Sequence, residues 1–199
     1  MPTGVALRDA REQLFDAAER ILLRDGPSAL TSRAVTTEAG CAKGVLHRHF
    51  ADFDAFLAEL VLDRIARLEA RGEELRGTAG TGAVADNLAG ALTGLFESVA
   101  VAIVALTISR DALRARLRDG RPSGVPLLTE ATTAIAGYLA AERDLGRIAA
   151  DADIDTLAPT LIGAAHLLFA DRNGTPPQPA AVRRTVAAVI AGVLPDPQT

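Results

Sequence analysis

Stretch after stretch of this chain repeats its apolar residues every three or four positions, and none sustains a strand-like alternation of apolar and polar residues. That periodicity admits helices and leaves no material for a sheet, so the expected fold class is all-α. The first periodic segment, residues 8–24, sets Leu14, Phe15, Ala18, Ile21 and Leu22 on one stripe, with Arg11, Asp16, Glu19 and Arg20 outside it. Asp25-Gly26-Pro27 ends it, because Gly suits a left-handed cap and Pro cannot continue a helix. Two short helices are expected at residues 32–39 and 43–49, the first opened by Thr31 as N-cap and the two separated by the break at Gly40. A long helix over 52–75 would bury Phe56, Leu57, Leu60, Val61, Ile65 and Leu68 and extend about 35 Å. Residues 76–82 have linker composition. Helices follow at 83–101, 102–118, 126–143, 155–170 and 179–194, with loops at 119–125, 146–153 and 171–178.

Composition narrows the function classes. A net charge of -4, from 21 basic and 25 acidic residues, excludes a uniformly basic nucleic-acid coat but not a local basic surface. The single cysteine, Cys41, rules out an intrachain disulfide and a four-cysteine zinc site. Three histidines, His47, His49 and His166, leave little for a metal centre, and neither metal nor cofactor is expected. The most apolar stretch, VAVAIVALTI at 99–108, is about half the roughly 20 residues that span a bilayer. It reads as a buried helix, and with no apolar core of a secretion signal at the start, the expectation is a cytoplasmic chain with no membrane partner. No nucleophile–base pair, metal spacing or phosphate-binding glycine loop appears, so an all-α enzyme is the weaker reading.

The informative region is LTSRAVTTEAGCAKGVLHRHF, Leu30 to Phe50. Two short helices around a three-residue turn starting at Gly40 have the form of a helix-turn-helix. Leu30, Ala34, Val35 and Ala39 give the first a small apolar face, Cys41 fills the turn, and Leu46 and Phe50 anchor the second. At 100° per residue Gly44, His47 and Arg48 point away from Leu46, with Val45 beside them. That outer face is small, polar and partly cationic, as major-groove entry requires. Arg33, Lys43 and Arg48 against Glu38 leave a local positive excess suited to phosphate contact.

From about Ala10 to Leu62 the chain resembles the DNA-binding domain of the tetracycline-repressor (TetR) family of bacterial regulators. The carriers are AAERILLRDG, LTSRAVTTEAG, CAKGVLHRHF and FDAFLAEL in order, with Gly40, Lys43, Gly44, Leu46, His49 and Phe50 in register. The resemblance implies that Thr31 caps the second helix, Ser32 touches a phosphate, and Arg33 reaches a phosphate or base edge. Lys43 and Gly44 would open the recognition helix, Gly44 allowing close approach, while His47 replaces a phosphate-contacting tyrosine and His49 matches the family histidine. The chain departs from the pattern at four positions. Ala42 stands for a capping Ser, Val45 for Thr or Ser, His47 for Tyr, and Phe53 for a phosphate-contacting Lys.

Taken alone, Lys43 and Arg48 would read as solvated charges; within this register they read as DNA-facing. His49 divides between packing and DNA contact, and Cys41 reads as core with redox sensing the remote alternative. In SRDALRARLRDGR, Arg110, Arg114 and Arg118 share a face, with Arg116 and Arg121 nearby. A solvated helix end favoured by the helix dipole is preferred there over a second nucleic-acid patch.

The division expected is a DNA-binding domain at 1–55 and an effector-binding and dimerisation domain at 56–199. Leu161, Ala165 and Leu168, with Val182, Val186, Val189, Ile190 and Val193, form stripes suited to the four-helix dimer interface that the family implies. An ordinary intrachain core is the alternative for them. The resemblance also implies a ligand cavity, and Phe96, Tyr138, His166 and Phe169 are its expected lining; taken alone, His166 reads as a satisfied core or interface histidine in preference to a ligand contact. So few aromatics favour a small hydrophobic effector. The function expected is a homodimeric, ligand-responsive regulator, a repressor that an effector releases from a palindromic operator in double-stranded DNA. A dimer of the same fold that binds ligand or protein but not DNA is the alternative.

Overall fold

A computed structural model describes residues 4–42, 44–118, 124–170 and 176–195. Every regular element among them is a helix, as the apolar spacing predicts. Helix α1 (Gly4–Asp25) buries Leu14, Phe15, Ala18, Ile21 and Leu22. It stops where Gly26 turns to φ 79°, a value open to glycine at little cost, and Pro27 starts a single 3-10 turn, Pro27–Ala29. Helix α2 (Ser32–Glu38) opens on Thr31, whose hydroxyl accepts the Ala34 N–H at 3.1 Å. Gly40, at φ 64°, reverses the chain, and the Cys41 N–H donates to the Thr36 carbonyl at 3.0 Å. Helix α3 (Val45–His49) is anchored by Leu46, which has no exposed surface.

Helix α3 is shorter than the spacing predicts. It begins at Val45 after a turn in which the Val45 N–H donates to the Ala42 carbonyl at 2.9 Å, and no side chain caps it. An alanine at position 42 has no oxygen to offer the free N–H groups, so the first turn is not held open as a helix. Lys43 lies outside the described residues.

Helix α4 (Phe53–Gly77) is about 37 Å long and buries Phe56, Leu57, Leu60, Val61, Ile65 and Leu68. Arg64, nearly as buried, pairs with Glu19 at 2.6 Å and with Asp63 at 2.5 Å, fastening α4 to α1. A turn through Gly80 and Gly82, both at positive φ, leads into α5 (Val84–Phe96). The region expected as two helices divides into three among the described residues: α5, α6 (Ala100–Ser109) and α7 (Asp111–Arg118). Ser98 turns its hydroxyl back to the Leu95 carbonyl at the first break, and Ser109 donates to the Leu106 carbonyl at 3.1 Å before the second. Such short side chains compete with the next helical turn for backbone carbonyls. Val99, Ala100, Ala102, Ile103, Val104 and Leu106 are buried, so this apolar run is core; no single helix is long and apolar enough to cross a membrane.

Three further helices complete the order. Helix α8 (Leu128–Asp144) follows Leu127, buried at φ 71° with its N–H donating to Glu130 at 2.7 Å. Helix α9 (Ile154–Phe169) is capped by Asp153, and α10 (Pro179–Ile190) starts on a proline that lacks the N–H a first turn leaves unused. The Asp153 carboxyl is held below its usual range by the Thr156 hydroxyl and then the Thr156 N–H.

Two compact units emerge, and neither is a single run of chain. The first joins the residues up to Arg64 with Ala102–Pro126; the second joins Ile65–Val101 with the residues from Leu127 onward. Helices α4 and α6 each contribute to both.

Candidate nucleic-acid interface

The first unit is built on four phenylalanines. Phe50 lies edge-on to Phe56, ring centroids 5.1 Å apart, and 5.9 Å from Phe15; Phe53 stacks on Phe56 at 5.7 Å. The Arg11 guanidinium sits 4.7 Å over the Phe50 ring. This cluster fixes the C-terminal end of α3 through Phe50, and with Leu46 turned inward the other face of α3 must look outward. Gly44, His47 and Arg48 are exposed, and Val45 and His49 are half-buried. On α2, Thr31 and Arg33 are exposed and Ser32 is half-buried. Thus the described members of the sequence-derived set lie on the two short helices with surface to offer, and Cys41 is half-buried in the turn between them.

Charge on this face is arranged by pairing its acid elsewhere. Glu38 accepts from Arg20 at 2.8 Å and from Arg24 at 3.2 Å, and these two guanidinium groups hold its carboxyl below the usual range. Arg33 and Arg48 make no ion pair among the described residues. Among the described residues the face therefore keeps both of its arginines free of acids. A shallow cleft of about 420 Å³ beside it is lined by Arg24, Thr31, Arg33, Thr37 and Glu38, among others.

Residues 14–60, which hold all of these elements, match the family model of the bacterial regulatory proteins of the tetR family. The head is similar to a TetR-family DNA-binding domain. The rest of the chain has the fold of solved TetR-family structures. A protein of Mesorhizobium loti described as a TetR-family transcriptional regulator is similar over 95% of this chain and 98% of its own, at TM-score 0.69 and 16% identity. Reduced NemR of Escherichia coli is similar over 96% and 100%, at TM-score 0.70 and 15% identity. FadR of Bacillus subtilis, solved with stearoyl-CoA, covers 91% and 98%, at TM-score 0.67 and 17% identity. No curated protein matches the chain.

Against the TetR pattern, Phe53 replaces a lysine at the start of α4, and it serves the head core while carrying Arg110 over its ring at 5.4 Å. Arg110 also donates to Asp54 at 2.7 Å, and Arg116 to Asp52 at 2.5 Å. The run is a solvent-exposed helix end, as its spacing predicts, but Arg110 just before α7 and Arg116 within it also pair with the start of α4 and its cap. Local spacing gave no sign of it, because their partners lie 56 and 64 residues away. Arg121 lies outside the described residues.

In the second unit the expected ligand-lining residues separate. Phe96 stacks on Phe169 at 5.8 Å and meets His166 at 5.7 Å, and the Nδ1 of His166 is buried without a hydrogen-bond partner. Tyr138 belongs to another cluster. Its hydroxyl contacts Asn87, two and a half turns along α5 from Phe96, and donates to Glu142. Burial and that carboxylate push the Tyr138 hydroxyl well above its ordinary pKa. The expected dimer stripes are also largely spent within the chain. Leu161, Ala165, Val182, Val186 and Ile190 are buried where α10 packs on α5 and α9, and only Leu168, Val189 and Val193 keep partial surface. Helix α9 turns Thr156, Thr160, Gly163 and Leu167 outward instead.

Proposed function

We propose that this chain is a homodimeric, ligand-responsive transcriptional regulator that binds a palindromic operator in double-stranded DNA and is released by a small hydrophobic effector. The observation that carries the reading is the outward face of α3 on a head similar to TetR-family DNA-binding domains. Nothing stands within 4 Å of where a Gly44 side chain would begin, and its backbone is ordinary right-handed helix. The fold itself makes no demand for glycine there; close approach of a duplex does. Thr31, Ser32 and Arg33 flank α3 as phosphate and base-edge contacts, with Val45, His47, Arg48 and His49 on the recognition helix itself and Lys43 ahead of it in sequence as a further phosphate contact.

One head makes few phosphate contacts, whereas two on a two-fold axis read a palindrome. A second copy seated on the outer face of α9, where Leu167 is 76% exposed, supplies that axis. Phe96, His166 and Phe169 are the effector contacts in this reading. The apolar rings favour a hydrophobic ligand, and the unpartnered Nδ1 of His166 favours one that carries a hydrogen-bonding group. The effector represses binding only by preferring a state in which the paired heads no longer match the operator.

The test is a mobility-shift assay of the full chain on the DNA flanking its own gene, at low salt, with and without long-chain acyl compounds. A discrete shift abolished by the acyl compound is expected. Absence of any shift favours the alternative of a dimer that has lost DNA binding, which the uncapped start of α3 and the phenylalanine at 53 would then explain.

A further inference from the structure

Two carboxylates, Asp52 and Asp54, follow directly on the recognition helix, and both are met by arginines from one distant segment. Asp52 is three residues beyond the end of α3, so its Cα stands at most about 11 Å from that of His49. That is about one screening length at 0.1 M salt, near enough for a bare carboxylate to act on phosphates held at α3. Asp52 also caps α4, accepting the Ala55 N–H at 2.8 Å; this bond first, and Arg116 after it, keep its carboxyl below the usual range. The acid is therefore fixed in its charged form beside the face that the DNA-binding reading requires to be positive.

Stability does not account for the outer pair, Asp52–Arg116. Asp52 and Arg116 are 49% and 44% exposed, and ion pairs this open add little to a fold. Their placement does account for them. Glu38, the acid on α2, is neutralised by Arg20 and Arg24 of α1, within the head itself. Asp54 is neutralised by Arg110, at the break between α6 and α7, and Asp52 by Arg116 of α7; α6, which leads into both, starts in the second compact unit.

We propose that Arg110 and Arg116 are charge-balancing residues for DNA binding: seated on Asp54 and Asp52, they make the head attractive to a duplex, and withdrawing α7 bares two negative charges beside the recognition helix. The proposal rests on the reading of α3 as a DNA-binding helix and adds to it an electrostatic route by which a change in the second unit, carried through α6, ends binding. Arg110 and Arg116 act through the two aspartates and need not touch the DNA.

The test is fluorescence anisotropy with a labelled duplex selected against the wild-type chain from a random pool. Arg110→Met with Arg116→Met keeps the alkyl packing on Phe53 and removes both charges; it should bind about fivefold more weakly at 0.1 M salt. Adding Asp52→Asn and Asp54→Asn should restore wild-type affinity, since Asn caps α4 as well as Asp does. The more exposed pair alone, Arg116→Met with and without Asp52→Asn, repeats the comparison away from the aromatic core, and thermal melts establish that each variant is folded. Unchanged affinity in the methionine variants overturns the proposal. A loss that the asparagines do not restore also overturns it, because it assigns the arginines to direct phosphate contact. If the wild type selects no duplex at all, the DNA-binding reading fails first and the proposal falls with it.

Discussion

Tyr138 donates its hydroxyl to Glu142 at 2.5 Å, and neither side chain has any exposed surface. The same carboxylate accepts the Gly80 N–H at 3.2 Å and pairs with Arg147 at 3.2 Å, while Arg147 reaches on to the Gly82 carbonyl. One buried acid thus ties the turn before α5 to α8. Glu142→Ala removes the acceptor of the Tyr138 hydroxyl and the Gly80 N–H and the charge partner of Arg147 at once, and should cost about 3 kcal/mol. Tyr138→Phe removes one partner of a carboxylate that keeps two others, and should cost about 1–2 kcal/mol. Urea unfolding followed by circular dichroism checks both. In Glu142→Ala the emission of Tyr138, the one tyrosine in a chain without tryptophan, reports the same transition locally.

The glycines of the helix-turn-helix separate stability from binding. Gly40 sits at φ 64°, so Gly40→Ala should destabilise by about 1 kcal/mol. Gly44 is in right-handed helical geometry with open space around it, so Gly44→Ala should stabilise slightly, by up to about 1 kcal/mol, while weakening DNA binding. Melting temperature and duplex affinity measured on the same two variants test this; a Gly44→Ala that loses stability would place the reason for glycine inside the fold.

Glu38 gives the head a defined acid response. Its folded carboxyl lies below its unfolded value near 4.5, so its contribution is present above that value and disappears as pH falls through the folded one. Glu38→Gln should therefore be less stable than the wild type at pH 7, and the gap should close in acid. Urea midpoints of both chains at neutral and acid pH provide the check, and a gap independent of pH would assign the effect to shape and not charge.

The outer face of α9 tests the dimer. Leu167→Arg alters a side chain that the chain itself leaves 76% exposed, so the fold should persist while a two-fold contact through α9 fails. Sedimentation equilibrium should find the wild type dimeric and the variant monomeric at the same concentration. Val186→Arg, by contrast, places a charge in the core and should unfold the second unit.

Much of the head was legible because its signals are local: the stripe of α1, the stop at Gly26-Pro27, the Thr31 cap and the inward Leu46 each declare themselves within a few residues. The three-way division of residues 84–118 was not, since two serines and one ion-paired arginine decide it and none breaks the apolar period. Long-range pairing is invisible to periodicity, which is why the spacing around Arg110 and Arg116 shows their exposure but not their partners. The valines of α10 show the reverse limit. Their stripe proves that a face is buried, but the pattern is the same whether α5 and α9 of one chain or a second copy covers it.

Arg48 on the outer face of α3 offers the most direct measurement. It is exposed, without an ion pair among the described residues, and outside the aromatic core, so Arg48→Ala should leave the melting temperature unchanged. Affinity for the selected duplex should be measured against salt concentration for both chains. Loss of one phosphate contact predicts weaker binding for the variant and a log–log salt slope shallower by about one. Equal affinity and equal slope would contradict the assignment of this helix to DNA.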